Sequence, residues 1–200
     1  MDGKRGPLVE LTDGQYGGAN GPSIAVNEDK NEYCAVYDLR NSGKWAVRKI
    51  DASTLTAGVG GAVDFITTNT DITYNSKDKK YLVIYDAGYN IGVMGRFLNS
   101  CDANDVAKEV LVLQKEGYSS VASNPASTTY AAIGQNGQDA GNGYSIIDSS
   151  GKILSSGNLF SEGYRNGQFL PVIRANVNDG TFAATSSRDY EMTRFVAGLK

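Results

Sequence analysis

Three short segments of the chain place an acidic residue and a glycine shortly before a tyrosine. They are Asp13-Gly-Gln-Tyr16, Glu116-Gly-Tyr118 and Glu162-Gly-Tyr164. A tyrosine ring can stack on the apolar face of a pyranose, and a carboxylate accepts hydrogen bonds from sugar hydroxyls. The pattern therefore predicts a carbohydrate-binding surface, with these residues as ligand contacts: Asp13, Tyr16, Glu116, Tyr118, Glu162 and Tyr164.

Two further tyrosines, Tyr89 and Tyr190, fall in polar segments that we expect on the same side of the molecule. Asparagine and arginine side chains accompany them, so planar hydrogen-bonding groups stand beside flat rings. Shallow sites of this kind gain strength through repetition when the target is itself multivalent. The alternative is that the tyrosines pack over neighbouring units and close one end of the fold. The sequence leaves both interpretations open.

Other kinds of chemistry are limited by what the chain lacks. It contains no histidine, which excludes Ser-His-Asp and Cys-His nucleophile arrangements and histidine-based zinc sites. A glycosidase needs only two carboxylates, and the best candidates are Asp38 and Asp86, each following a tyrosine. Capping of nearby backbone N–H groups is the favoured role for both. We therefore predict a protein that is not an enzyme and that has no metal or cofactor.

Charge and hydropathy limit the partners. The formal net charge is −3 and the isoelectric point is near 5.0, which gives no general attraction to nucleic acid or anionic lipid. The longest apolar runs, such as Tyr81-Leu-Val-Ile-Tyr85, have the length of a strand rather than of a membrane span. We therefore expect neither nucleic-acid binding nor membrane insertion.

The two cysteines belong to different parts of the pattern. Cys34 lies in an apolar run, and Cys101 lies in a polar turn about one repeat further on. A bridge would require these two surfaces to meet. We expect two free thiols, one buried and one at the surface.

A recurring asparagine organises the whole chain. Asn27, Asn75, Asn124 and Asn176, here called the marker asparagines, are separated by 48, 49 and 52 residues. Each follows a branched residue by three positions and precedes a polar turn and an aromatic-rich run. Units of about 40 to 50 residues are typical of four-stranded propeller blades. We predict an all-β fold, a four-bladed β-propeller.

The fourth unit ends at Lys200 before a fourth strand, and residues 2–11 resemble the missing piece. We predict that the N-terminal strand completes the C-terminal blade and closes the ring. The predicted blades are residues 21–68, 69–117, 118–163 and 164–200 with 1–20, within a single domain of residues 1–200. A domain-swapped dimer with eight blades would satisfy the same pairing.

Two charged residues interrupt the small residues expected near the ring axis. Asp71 and Arg174 lie just before their marker asparagines, on blades that face each other across the axis. We expect an ion pair between them that plugs the channel. A ligand-binding channel is the alternative.

The unit at residues 71–86, followed by residues 91–96, resembles the repeats of bacterial extracellular β-propeller proteins, with their Tyr-Leu-Val-aromatic strand. The resemblance implies a secreted or cell-surface, lectin-like scaffold that recognises a glycan or another cell-surface ligand. Two alternatives stay open. One is a protein-binding, adhesion or self-assembly module that forms a homo-oligomer, and the other is a glycoside-processing enzyme.

Overall fold

The structure is a computed structural model that describes residues 8, 10–11, 19–39, 42–58, 60–64, 68–88, 90–114, 116–136, 142–160, 171–188 and 192–199. These residues form fifteen strands and no helix, and so they contain no helix able to span a membrane. The strands are β1 Ala19–Asn27, β2 Glu32–Leu39, β3 Lys44–Asp51, β4 Gly61–Asp64, β5 Thr68–Asn75, β6 Lys80–Asp86, β7 Gly92–Leu98, β8 Val106–Gln114, β9 Glu116–Asn124, β10 Thr129–Asn136, β11 Asn142–Asp148, β12 Ile153–Phe160, β13 Val172–Asn176, β14 Thr181–Arg188 and β15 Met192–Leu199.

The strands pair in chain order into four antiparallel sheets. They are β1 to β4, β5 to β8, β9 to β12 and β13 to β15, here called the first to fourth blades. Each blade is a meander, because each strand pairs with the strand before it through a short turn. The all-β propeller prediction is confirmed. Pairing between the N-terminal segment and the fourth blade is not detected among the described residues.

The hydrophobic core lies between blades rather than at one centre. Three clusters join the first blade to the second, the second to the third and the third to the fourth. Trp45 and Tyr81 anchor the first cluster, Leu82 and Tyr130 the second, and Ile133 and Phe182 the third, all fully buried. Each blade therefore depends on the next one to cover its apolar face.

The marker asparagines connect each blade to the next. Asn75 is fully buried; its Oδ1 accepts the N–H of Lys77 in its own turn, at 3.0 Å. Its Nδ2 donates to the carbonyls of Asn124 and Ser127 in the third blade, at 3.1 and 3.0 Å. The position needs an acceptor and a donor in one short side chain, and a carboxylate has no donor. This requirement explains the asparagine in the repeat.

The tyrosine six positions after the marker asparagine of the next blade can accept a hydrogen bond from the amide nitrogen. Asn27 Nδ2 donates to the Tyr81 hydroxyl at 2.8 Å, and Tyr81 donates in turn to Glu32 at 3.0 Å. The equivalent residue of the fourth blade is Phe182, which has no hydroxyl. At this third interface, Asn124 Nδ2 is buried and has no partner among the described residues. The third interface thus lacks a bond that the first interface makes.

A disulfide joins Cys34 in β2 to Cys101 in the loop after β7, with 5.6 Å between the Cα atoms. The prediction of two free thiols is wrong. The polar turn folds back over the first blade, where Gly61 lacks a side chain; a Cβ there would lie 2.3 Å from the Ala103 methyl. A bridge between residues 67 positions apart lowers the entropy of the unfolded chain. In the loop-entropy account, this stabilises the folded state by roughly 4 kcal/mol.

The junction between the fourth and first blades is open among the described residues. Ile24 and Val26 are 54% and 53% exposed, whereas the residue equivalent to Ile24 in the second blade, Ile72, is 4% exposed. Asn176 is exposed and donates to Asp179 of its own turn, at 2.8 Å. We call this junction the open seam.

The predicted closing strand lies largely outside the described residues. Within it, the Leu11 carbonyl accepts hydrogen bonds from the Tyr37 hydroxyl and the Arg48 guanidinium of the first blade. Ring closure through the fourth blade therefore stays a prediction.

The missing bond at Asn124 leads to a stability prediction. Phe182→Tyr should raise the free energy of unfolding by about 1 kcal/mol, because the new hydroxyl gives the buried amide a partner. Urea unfolding followed by tyrosine and tryptophan fluorescence measures the change. Phe97→Tyr is the control, since it adds a hydroxyl to another buried ring, packed against Tyr130. A loss of stability in Phe182→Tyr as large as in the control would contradict the proposed pairing.

The open seam can be tested with two isoleucines at equivalent positions. Ile72→Ala should cost about 2 to 4 kcal/mol of unfolding free energy, because it removes buried methylenes from a packed interface. Ile24→Ala should change it by no more than about 0.5 kcal/mol, as for other exposed positions. Equal losses in the two variants would show that the fourth blade covers Ile24 in solution.

Candidate functional site

The first strands of all four blades line one central cavity of about 420 Å³, here called the axial pocket. Its wall combines strand backbone with hydroxyl, carboxylate, guanidinium and aromatic side chains. The polar and aromatic members used below are Ser23, Asp71, Thr73, Tyr74, Ser123 and Arg174. Because β1, β5, β9 and β13 all contribute, the pocket lies where the four blades meet.

Asp71 connects three blades through its carboxylate. Its Oδ1 accepts the Ser23 hydroxyl of the first blade at 2.5 Å and the N–H of Ile72 at 2.9 Å. Its Oδ2 accepts the N–H of Val121 in the third blade at 2.8 Å. Three donors therefore surround this charge and hold the carboxylate in a fixed orientation.

Arg174 lies on β13 and is exposed in the same pocket. Its Nη1 donates to the carbonyl of Ile173 at 2.7 Å. No carboxylate of the described residues lies within the 4.0 Å that defines an ion pair with it. The predicted Asp71–Arg174 ion pair is therefore wrong. Donors of the first three blades occupy the Asp71 oxygens, and the channel between the two side chains is an open cavity rather than a plug.

Hydroxyl groups fix the wall between the second and third blades. Thr73 Oγ1 donates to Ser123 Oγ at 2.9 Å, and Ser123 Oγ donates to the carbonyl of Tyr74 at 2.6 Å. The Tyr74 hydroxyl donates to Asp29 of the first blade at 2.7 Å. Burial, followed by this bond to Asp29, raises the pKa of Tyr74 well above its usual value. The wall is thus organised before any ligand arrives.

Asp38 and Asp86 are buried at the ends of β2 and β6 and accept donors from the following blade. The N–H of Asn69 donates to Asp38 at 3.0 Å, and the Asn69 amide donates to Asp86 at 2.8 Å. The N–H of Tyr118 also donates to Asp86, at 2.8 Å. Burial raises the pKa of both carboxyls, although these hydrogen bonds oppose it. The contacts favour a capping role over a catalytic one.

Tyr118 is the predicted contact residue that the structure describes most fully. It lies within β9 rather than in a loop, is partly exposed and has a φ of 45°. The equivalent positions of the first two blades hold Gly21 and Asn69, which also have positive φ. Glycine and asparagine adopt this conformation readily, whereas a bulky tyrosine does so at a cost of about 1 to 3 kcal/mol. The tyrosine is therefore retained at a strained position.

The remaining predicted contacts cannot be placed relative to one another. Glu116 belongs to β9, and its side chain lies outside the described residues. The other predicted contacts lie entirely outside the described residues; they are Asp13, Tyr16, Tyr89, Glu162, Tyr164 and Tyr190. The tyrosine-rich surface thus stays a prediction.

The chain is similar to solved propeller structures but matches no protein-family model and no curated protein. An endosialidase of phage phi92 aligns with a TM-score of 0.61 and 8% identity, over 84% of this chain and 30% of that one. An α-L-arabinofuranosidase of Podospora anserina, solved in complex with cellotriose, aligns with a TM-score of 0.56 and 10% identity, over 96% of this chain and 67% of that one. The Dos1 propeller aligns with a TM-score of 0.56 and 11% identity, over 81% of this chain and 41% of that one. At these identities the likeness shows the fold alone.

The prediction that the protein is not an enzyme is contradicted by these comparisons. Two of the three similar structures are enzymes that act on glycosides. The prediction rests on the absence of histidine and on a capping role for Asp38 and Asp86, whereas one fold supports both binding and catalysis. The chain also spans only part of the length of each similar structure.

The buried carboxyl of Asp86 predicts a specific pH dependence. Because burial raises its pKa in the folded state, the folded protein binds the proton more tightly than the unfolded chain. The parent protein should therefore gain stability relative to Asp86→Asn as the pH falls from neutral toward the ordinary pKa of 3.8. Urea midpoints of both proteins between about pH 3 and 7 measure this difference.

Asp148→Asn is the control of opposite sign. Hydrogen bonds from Ser150 lower the pKa of Asp148, so its contribution to stability is lost as the pH falls below about 3.8. The advantage of the parent over this variant should shrink on acidification. The same direction of change in both variants would contradict the assigned roles.

Proposed function

We propose that this protein binds carbohydrate in the axial pocket. The observation that carries the proposal is a pocket of about 420 Å³ that holds a carboxylate and a guanidinium on opposite blades. This volume lies within the range of small-molecule sites, which is roughly 300 to 1,000 Å³. The pocket suits a monosaccharide or the end of a longer glycan.

The polar groups of the pocket have unused hydrogen-bonding capacity. A carboxylate offers about four acceptor positions, and Asp71 uses three of them in the bonds described above. A guanidinium offers about five N–H donors, and Arg174 uses one on a backbone carbonyl. A sugar hydroxyl both donates and accepts, so it can bridge groups of these two kinds. The fold therefore presents one acceptor and several donors to the same ligand.

Tyr118 supports the proposal from a second direction. Backbone strain persists where the surrounding structure imposes it, and such residues cluster at ligand-binding sites. Tyr118 precedes the pocket residue Val121 on β9, and its ring is partly exposed. We propose that this tyrosine, with the other predicted tyrosines, contacts the part of a glycan that extends beyond the pocket.

The disulfide favours an extracellular location. Disulfides form and persist in oxidising compartments and are rare in the cytosol. The Cys34–Cys101 bridge joins two blades. We propose that the protein is secreted or displayed at the cell surface, where glycans are accessible.

Glycoside hydrolysis is the second candidate function. Asp71 supplies one carboxylate to the pocket, and enzymes that act on glycosides share the fold. Hydrolysis by a carboxylate pair requires a second acid within about 5 to 10 Å. Release of nitrophenol from aryl glycosides, compared between the parent and Asp71→Asn, tests this candidate.

A glycan array tests carbohydrate binding, with the protein presented on a tetrameric carrier to strengthen weak contacts. The parent should bind at least one glycan. Val177→Trp should abolish that binding, because Val177 lines the pocket and is 57% exposed, so the larger ring fills the cavity without disturbing a core. Val177→Ala is the matched control and should bind normally. An array without any bound glycan, or normal binding by Val177→Trp, would overturn the proposal.

A further inference from the structure

Charged residues are rare among the described residues that line the axial pocket. Two positions before the marker asparagine, the first three blades have Ala25, Thr73 and Ala122, and the fourth has Arg174. Asp71 is the other charged residue of the described lining. At this position, the first three blades line the pocket with small residues. A long cation at the fourth position therefore calls for an explanation beyond packing.

The negative charge of Asp71 is already stabilised by hydrogen bonds within the fold. The Asp71 carboxylate accepts one hydroxyl and two backbone N–H groups, all within 2.9 Å. Hydrogen bonds to the ionised form stabilise a carboxylate without a cation nearby. Asp71 thus does not require Arg174 as a counter-ion.

The positive charge of Arg174 has no such compensation from the part of the chain that the structure describes. Its side chain donates a hydrogen bond to the neutral carbonyl of Ile173, and no described carboxylate pairs with it. A guanidinium presents parallel N–H groups that match the two oxygens of a carboxylate, and such charge-assisted pairs are stronger than neutral hydrogen bonds. The side chain is exposed to the cavity rather than to an apolar core. The pocket therefore offers an unmatched cation to its ligand.

The protein as a whole does not attract anions. Its formal net charge is −3, so long-range electrostatics oppose the approach of an acidic molecule. A preference for an anionic ligand would have to arise inside the pocket, at Arg174. Such a preference differs from general polyanion binding because a single charge removal would eliminate it.

We infer that the ligand of the axial pocket is an acidic sugar, whose anionic group binds the Arg174 guanidinium while its hydroxyls contact Asp71. This inference rests on the proposed carbohydrate binding and adds the class of sugar. A carboxylate or a sulfate ester would satisfy the same guanidinium. The planar carboxylate matches its geometry better.

Three probes that differ at one position test the inference. They are the same oligosaccharide ending in glucose, in glucuronate and in glucose 6-sulfate, titrated by calorimetry or by ligand-observed NMR. The glucuronate form should bind the parent at least tenfold more tightly than the glucose form. The sulfate form should fall between them if planar pairing matters and should equal glucuronate if charge alone matters; both results support the inference.

Three variants separate Arg174 from general charge effects. Arg174→Gln should bind all three probes equally. Arg174→Lys should retain part of the preference for the acidic probes, because lysine keeps the charge but lacks the planar pair of N–H donors. Lys152→Gln removes the same charge from an exposed turn and should retain the full preference. Thermal unfolding of each variant checks the fold, which should be unchanged because Arg174 is exposed.

The outcomes distinguish this inference from the proposed function. Equal binding of the glucose and glucuronate forms by the parent overturns the inference and leaves carbohydrate binding intact. A glucuronate preference that persists in Arg174→Gln also overturns it. Failure of every probe, together with an empty glycan array, overturns the proposed function and the inference alike.

Discussion

The structure depends on a buried amide that must be satisfied from two directions. At Asn27 and Asn75, the marker asparagine closes its own hairpin with its oxygen and reaches the next blade with its nitrogen. An unpaired buried amide costs about 1 to 3 kcal/mol, so each blade is stable only beside a correctly placed neighbour. The interface is therefore directional, because one face of a blade donates and the opposite face of the next blade receives. This constraint accounts for the asparagine at the first two interfaces.

The axial pocket follows from the same arrangement. The first strands lie closest together where the blades meet, and small residues such as Ala25 and Ala122 let them approach. Small side chains cannot fill the centre, so a cavity of about 420 Å³ remains. Asp71 lies in this cavity and takes donors from the first and third blades. A functional group is thus held by the element that also joins the blades.

The sequence predicts the propeller because its signals are local and repeated. Apolar residues such as Ile72 and Val121 recur at a fixed distance from an asparagine, and this periodicity specifies which face of each strand is buried. The disulfide was not predicted, because it depends on the turn around Cys101 folding back over Gly61, a contact between two blades. Pattern within one repeat carries no information on such a contact.

The same limit explains the errors at the candidate site. Opposite charges across an axis predict an Asp71–Arg174 ion pair, but one backbone N–H of the same strand and one of a neighbouring strand occupy the Asp71 oxygens. The Glu-Gly-Tyr segment predicts Tyr118 as a ligand contact, but it does not show that the residue occupies a bulge inside β9 with positive φ. Its counterparts Gly21 and Asn69 also lie six positions before a marker asparagine, but a tyrosine at this position gives no sign in the sequence of their shared positive φ.

The contacts between blades weaken from the first interface to the last. The first has a disulfide and the Asn27–Tyr81 bond, whereas at the third interface the buried Asn124 Nδ2 has no partner among the described residues. At the open seam, Ile24 remains exposed. β13, the strand that carries Arg174, therefore contacts the third blade on one side and lines the axial pocket on the other.

A ligand that contacts both Asp71 and Arg174 would span the pocket from the best-connected blades to the least-connected one. Binding stabilises whichever state presents both groups at the right separation, and it does so by an amount set by its affinity for that state. The Asp71 side of the pocket is already fixed by three donors, so the adjustment would fall on β13. Recognition of such a ligand and the position of the fourth blade would thereby be coupled through one arginine.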